Sequence, residues 1–592
     1  MKKNQTLKSW VFVIIYFITT GNNYAQTSTE KQNPYSLGTS SEFLRQIETQ
    51  LAKTSRDSQE IKLKVSNSET FDAKVNYQQE KSASEIHLEG EILDKNTGNF
   101  SLIIKDGKLD GRIILLKDKK AYTYYSDSKE DAFVKEIDIN QIICINRPEI
   151  HKISSDKKII HKEENLLDKT VNVYGLQSFP GALGCLFLDF DGYNLPAGSS
   201  WNGGLAIYAT PSTITPTQLQ IAWEVVAEDF KPFNLNVTTD ENVFNTYPTN
   251  RRMRCVITSE TSIPPGYGGV AYINSFTDVT DPPCWVFMKD ADIVGRNVGE
   301  TASHEFGHTL GLTHDGNNVF AYYTGHGNWA PIMGESYYKN ITQWSKGEYP
   351  NANNLQDDLQ IISGPGNGVG YRADNAGSTF ETAIPLKKTG NEVAESNNQG
   401  VIETTGDIDM FSFNTSGGNT NLNIKTASRN SNLLLKATLY NSGQTEMISH
   451  TGNVNDLSLP ITFNNNLTAG DYYIEIKGIG EGTASTNFTN YASLGYYSIS
   501  GTIPSAAVKA SKPDNINIYP IPIKDKLNID FGPVKNNYHV EIVNALGQLI
   551  YKTSTSEKVL IVLFSDKPSG FYRLIIKDNR NNIIKAFSLV KQ

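Results

Sequence analysis

Residues 301–315 read TASHEFGHTLGLTHD, which sets His304 and His308 four positions apart, His314 six further on, Glu305 after the first histidine and Gly311 before the third. At 3.6 residues per turn His304 and His308 lie about 40° apart on one helix face, one turn above each other. Both imidazoles can therefore reach one ion. Gly311 is free to take a left-handed conformation, which stops the helix and turns the chain back so that His314 approaches the same ion. Three neutral imidazoles at about 2.0–2.1 Å leave a tetrahedral Zn2+ with one open position for water. Glu305 points toward that position without binding the metal and is the candidate general base. Zinc lowers the pKa of its water toward about 7, so Glu-assisted attack of a zinc-bound water on a carbonyl is the expected chemistry. A structural zinc takes four protein ligands, and three are visible here.

A helix that presents these histidines to a cleft must rest on something apolar. Ala302, Phe306 and Leu310 recur at four-residue intervals on roughly the opposite face, predicting a helix packed on a sheet. Upstream, apolar runs at 185–190, 254–257, 270–273 and 284–288 read as strands, and 218–230 has helical apolar spacing. Strands alternating with helices make an α/β module, closed by a glycine-rich link at 364–370. Residues 372–505 carry period-2 segments at 409–413, 421–425, 471–477 and 496–501 and predict a β-sandwich. The N-terminal region alternates at 86–92, 99–105 and 111–116 around turns at 94–96 and 106–107, and 151–169 turns lysine-rich and polar, as an exposed, cleavable connection would.

Composition limits the partners. With 54 Lys+Arg against 63 Asp+Glu the net charge is -9, the wrong sign for nucleic acid. Lys2, Lys3 and Lys8 precede an apolar run at 10–18 that is too short to span about 30 Å of hydrocarbon and reads as a secretory signal peptide, leaving no transmembrane segment after its removal. The four cysteines are too few for a disulfide scaffold; Cys185, Cys255 and Cys284 sit in apolar runs as buried thiols or with one bridge among them.

HEFGHTLGLTHD resembles the zinc signature of metzincin metallopeptidases, in its reprolysin-type form with Asp315 after the third histidine. The resemblance implies a methionine turn beneath the zinc, and Met333 in Pro331-Ile332-Met333-Gly334 is its candidate. Astacin-like and serralysin-like members place a tyrosine two residues beyond that methionine; Glu335 stands there, so the role is not carried over, and Tyr337 and Tyr338 are the nearby candidates for oxyanion support or for packing. Gly269, Val270, Ala271 and Tyr272 look like the edge strand on which metzincins lay an extended substrate, or like an ordinary edge strand. The tail from about Asn515, with Ile518-Tyr519-Pro520-Ile521-Pro522, Asn544-Ala545-Leu546-Gly547-Gln548 and Ser569-Gly570-Phe571-Tyr572, resembles the C-terminal sorting domain of type IX secretion, departing at Ile521 from that family's usual YPNP. Gly406-Asp407-Ile408-Asp409-Met410-Phe411 resembles the bacterial pre-peptidase C-terminal domain, members of which sometimes bind substrate or Ca2+, so Asp407 and Asp409 are either candidate Ca2+ ligands or solvated carboxylates on a strand turn. The N-terminal region resembles a reprolysin-type propeptide. A propeptide thiolate filling the fourth zinc position would displace the attacking water, so Cys144 is either a latency switch or an inert thiol in the apolar run 141–145.

Together these readings expect a multidomain chain: signal peptide 1–25, β-rich propeptide 26–175, α/β metzincin-like zinc peptidase domain 176–365, pre-peptidase C-terminal-like β-sandwich 372–505 and sorting domain 510–592. The function they imply is a secreted zinc endopeptidase acting on protein or peptide substrates, made as a zymogen and exported by the type IX machinery to the surface or medium. The alternative is a cell-surface adhesion protein that keeps a peptidase-like fold.

Overall fold

A computed structural model of the chain describes residues 33–53, 59–82, 85–93, 98–144, 172–259, 268–288, 294–374, 376–505, 516–532, 537–579 and 581–592. The signal-peptide segment, the polar connection at 151–169 and the junction at 506–515 lie outside the described residues.

The chain is multidomain and mostly β. Residues 35–138 form an eight-stranded antiparallel meander whose first strand, Tyr35–Thr39, pairs with its last, Asp131–Asp138. A helix at Ser40–Leu51 starts with a capping box, Thr39 Oγ1 accepting from the Glu42 N–H and Glu42 accepting from the Thr39 N–H at 2.9 Å. Its Phe43, Ile47 and Leu51 fall at four-residue intervals and bury against Leu63, Ile113 and Tyr124. This core is separate from the others.

The next module is built on a five-stranded sheet: β1 (Gly184–Asp189), β2 (Leu235–Thr238), β3 (Arg252–Thr258), β4 (Gly269–Val270) and β5 (Cys284–Phe287), in spatial order β2-β1-β3-β5-β4. The first four in that order run parallel, and β4 lies antiparallel to β5 at the edge. Buried on both faces, β1 reads as the near-continuous apolar run GCLFLD rather than as an alternation. Helix α1 (Pro216–Asp229) is started by Thr215, whose Oγ1 accepts from the Gln218 N–H, with Pro216 at its first position. It packs along α2 (Gly295–Thr309), which is buried throughout. All four cysteines are buried free thiols. Of the two readings, buried thiols or one bridge, the structure shows thiols, with Cys255 and Cys284 register partners on neighbouring parallel strands.

Residues 384–502 pair a five-stranded with a six-stranded sheet. Their core is continuous with that of the α/β module: Phe230, Phe306 and Trp344 belong to one apolar cluster with Leu433, Tyr491 and Ile499. The tail, 517–591, has a three-stranded and a four-stranded sheet around its own core of Leu527, Val540, Ile542 and Leu574. No helix among the described residues is long and apolar enough to cross a membrane.

Candidate metal centre

Helix α2 carries His304, Glu305 and His308, all fully buried, while Ala302 and Phe306 pack into the core behind them. Gly311 has φ +106°, the left-handed conformation that favours glycine. The Gly311 N–H donates to His308 O and the Leu312 N–H to Gly307 O, a closed helix end that sends the chain back past the same face. His304 Nδ1 lies 2.9 Å from Ile332 O, and His308 Nδ1 lies 2.8 Å from Leu312 O. A carbonyl only accepts, so both rings carry their proton on Nδ1 and turn the Nε2 lone pairs inward. These two Nε2 atoms are 3.0 Å apart. His314 arrives from the returning chain, and its Nε2 lies 3.2 Å from Cys144 Sγ.

The ligand atoms of Cys144, His304, His308 and His314 all lie within 4.8 Å of one another. Lone pairs aimed at each other at 3.0 Å repel unless a cation lies between them. Ligands about 2.0–2.1 Å from a tetrahedral ion stand roughly 3.3 Å apart, close to the separations seen here. The donor set therefore fits Zn2+, with main-chain carbonyls fixing two of the three imidazoles from behind.

Met333 is fully buried just beyond Ile332, and its carbonyl accepts the Asp315 N–H at 2.9 Å. Glu300, one turn before His304 on α2, accepts from Ser336 Oγ at 2.6 Å and Thr342 Oγ1 at 3.1 Å, which ties the segment after Met333 to the helix. Asp315 is buried and its carboxyl is pushed up to about 7 by that burial, against the hydrogen bonds from Tyr349 and Asn354. Glu305 reaches the sheet edge. A Cβ on Gly269 would stand 2.4 Å from Glu305 Oε1, so glycine is what lets β4 and the carboxylate approach.

The edge strand is already occupied. The Cys144 N–H donates to Ala271 O at 3.1 Å, the Ile273 N–H donates to Ile142 O at 2.9 Å, and Ile143 pairs antiparallel with Tyr272. Gly269, Val270, Ala271 and Tyr272 are buried beneath this segment. Ile143 fills an apolar cluster with Trp201, Tyr272 and Trp285, and the Arg112 guanidinium lies 4.0 Å over the Tyr272 ring.

Two of the candidate tyrosines are elsewhere. Tyr337 Oη is 2.9 Å from Thr301 Oγ1 on the flank of α2, and Tyr338 is exposed. The tyrosine at the centre is Tyr322, which no motif spacing singled out: its Oη is 3.2 Å from His314 Nε2 and 3.8 Å from Cys144 Sγ. It lies in an aperiodic loop between the third histidine and Met333, where only three-dimensional closure reveals it. In the sandwich, Asp407 gathers with Asp374 and Glu403, while Asp409 turns into the core and accepts from Tyr497 Oη. The pairing of Asp407 with Asp409 as ligands is thus corrected. Glu403 is pushed up to about 9 by burial and by the neighbouring Asp407, Asp409 and Asp374 carboxylates.

Residues 517–590 match the family model described as the Secretion system C-terminal sorting domain. Among curated proteins no sequence matches. Similar solved structures include PorZ, a bacterial surface component of the type IX secretion system of Porphyromonas gingivalis, at 13% identity over 26% of this chain and 32% of that chain, TM-score 0.12. A two-domain fibronectin type III segment of chicken tenascin is 13% identical over 31% of this chain and 95% of that chain, TM-score 0.12. The β-glucuronidase of Ruminococcus gnavus is 12% identical over 34% of this chain and 38% of that chain, TM-score 0.11. At such scores these likenesses bear on neither fold nor activity. The tail does: it engages the type IX secretion machinery and marks the chain for export to the cell surface or the medium.

Proposed function

We propose that the chain is a zinc-dependent endopeptidase held latent by its own N-terminal domain. The observation that carries this reading is the convergence of three imidazoles, two with their proton side fixed on carbonyls, on one point beside a buried glutamate. The metzincin-like signature and the antiparallel edge strand β4 support it. When bound, zinc supplies a Lewis acid that lowers the pKa of water toward about 7. His304, His308 and His314 hold it. The main chain of Gly269, Val270, Ala271 and Tyr272 offers pairing to an extended peptide, which makes recognition tolerant of sequence. Glu305 takes the proton of the attacking water as its oxygen bonds to the carbonyl carbon, and returns it to the amine as the C–N bond breaks.

In the latent chain Ile142, Ile143 and Cys144 occupy both requirements at once, the strand edge and the fourth ligand position. Calcium at Asp374, Glu403 and Asp407 belongs to the same reading, since three carboxylates that close, one of them buried, favour a divalent cation. Glu305→Gln is expected to keep about one zinc per chain and to lose 10²–10⁴-fold in peptide hydrolysis, roughly the contribution of a general base. Metal content and casein digestion of the processed variant measure both. Near wild-type turnover by Glu305→Gln would remove Glu305 as the base, and absence of hydrolysis by the processed, zinc-loaded wild type would leave the adhesion reading.

A further inference from the structure

We propose that Tyr322 is a catalytic residue that serves both states of the centre: its hydroxyl donates to the Cys144 sulfur in the latent chain and to the oxygen of the scissile carbonyl after Cys144 has left. This rests on the zinc-peptidase reading and adds to it a residue that neither the signature nor the methionine turn supplies.

The Tyr322 ring packs 4.4 Å from the His314 ring and 5.9 Å from that of His304, and the side chain is buried. Its place is fixed by the main chain on either side. The Tyr323 N–H donates to Asp315 O at 2.7 Å, and the Glu335 N–H donates to Tyr323 O at 3.0 Å, so the loop is stitched to both the third histidine and the methionine turn. The hydroxyl stands 3.2 Å from His314 Nε2. With that lone pair committed to a cation, the hydroxyl donates elsewhere than to His314. Cys144 Sγ, at 3.8 Å, is within reach for sulfur and stands where a substrate oxygen would enter after the propeptide strand departs.

Three other donors near the centre are engaged. The Nδ1 protons of His304 and His308 go to Ile332 O and Leu312 O, and Tyr337 Oη meets Thr301 Oγ1. A carbonyl oxygen gains negative charge as the attacking oxygen bonds to its carbon, and a donor held in place strengthens as that charge grows. The phenol keeps its proton throughout, so no atom beyond those of the hydrolysis itself changes hands.

The processed protein carrying Tyr322→Phe is expected to retain one zinc per chain and a wild-type melting midpoint, with kcat lowered about 10²-fold and KM unchanged, in line with the loss of one oxyanion donor. A second readout involves no turnover. A phosphinic peptide that mimics the tetrahedral state should bind the variant weaker by the same factor in calorimetry, while the product peptide binds both proteins equally. Tyr323→Phe is the control: its hydroxyl meets His326 Nδ1 at 2.8 Å, away from the centre, and kcat should not move. Fluorotyrosine at 322, which keeps shape and donor, should restore turnover. Unchanged kcat in Tyr322→Phe, equal weakening of both peptides, or loss of zinc would each overturn the proposal. The zinc-peptidase reading fails separately, on absence of hydrolysis by the processed, zinc-loaded wild type.

Discussion

The α/β module has two neighbours that hold it in opposite ways. The N-terminal meander keeps its own core and meets the module through Ile142, Ile143 and Cys144 and a modest cluster around Trp201, Tyr272 and Trp285, with polar contacts such as Arg112 to Ser200 and Asn76 to Gly203. Among the described residues the sandwich core is continuous with the module's. Asp229 at the end of α1 accepts from Ser303 Oγ, beside the first ligand on α2, and from Asn432 Nδ2 of the sandwich at 2.7 Å. Trp344 Nε1 donates to Asp229 O, and Leu359 N–H donates to Tyr491 Oη. One neighbour touches the histidine cluster and keeps its own core, as the proposed removable propeptide would; the other shares the core and supports the helix of that cluster from behind.

Truncation breaks the comparison most severely. A chain ending at residue 371 would expose Leu433's and Tyr491's neighbours Phe230, Trp344 and Ile362. Each buried large apolar side chain contributes about 1.5–3 kcal/mol, so losing several exceeds the roughly 5–15 kcal/mol that holds a domain together. That chain is expected to aggregate. Limited proteolysis within the polar stretch 151–169 should instead yield a folded 172–505 core. Recovery of a soluble, zinc-loaded chain ending at 371 would show that the sandwich is dispensable.

Cys144→Ser tests the other neighbour more gently. The strand pairing of Ile142 and Ile143 persists, but the sulfur ligand is gone, and the uncleaved precursor is expected to gain tenfold or more in peptidase activity, tenfold corresponding to about 1.4 kcal/mol of inhibitory grip. Fluorogenic-peptide turnover by intact precursor, with integrity checked by mass spectrometry, reads this. Equal latency of the variant and wild type would assign the inhibition to the strand alone.

What could be read from the sequence was local in origin. The helix under His304 and His308, its end at Gly311 and the strand runs at 185–190 and 284–288 follow from spacing within a dozen residues. The proximity of Cys144 to His314 spans 170 residues, beyond any periodicity, and was offered only as one of two readings through the resemblance to a propeptide. Tyr322 was invisible for a related reason, because a loop held by Asp315 and Glu335 has no repeat to detect. Whether Cys185, Cys255 and Cys284 are thiols or share a bridge was open in the sequence, because no count of cysteines fixes their positions; folded, all three are buried thiols. Calcium candidates were read as near neighbours in sequence, Asp407 and Asp409, but Asp407 precedes the strand Ile408–Thr415 and gathers with Asp374 and Glu403, while Asp409 lies within it and accepts from Tyr497 Oη.

The mildest test addresses the shared interface through pH. Glu228 on α1 accepts the Tyr496 N–H of the sandwich at 3.1 Å and is almost wholly buried. Burial pushes its carboxyl up to about 7, against the pull of Lys231, that N–H and Arg372, with Asp229 beside it. A raised folded pKa means that the folded chain holds a proton the unfolded chain has released. The contribution is therefore fully present below about 4.5, is lost as pH rises toward 7, and is flat above. A shift of that size corresponds to roughly 3 kcal/mol at most. Glu228→Gln copies the protonated form, keeps an acceptor for Tyr496, and should melt higher than wild type at pH 8 while matching it at pH 5. Asp189, also pushed up to about 7, titrates in the same window, so the difference between the two proteins, not the wild-type slope, isolates Glu228. The corresponding difference should be absent from the N-terminal meander, whose contacts with the module do not include Glu228. If melting midpoints of variant and wild type run parallel from pH 5 to 8, the carboxylate is ionised in the folded interface and the two neighbours do not differ in this respect.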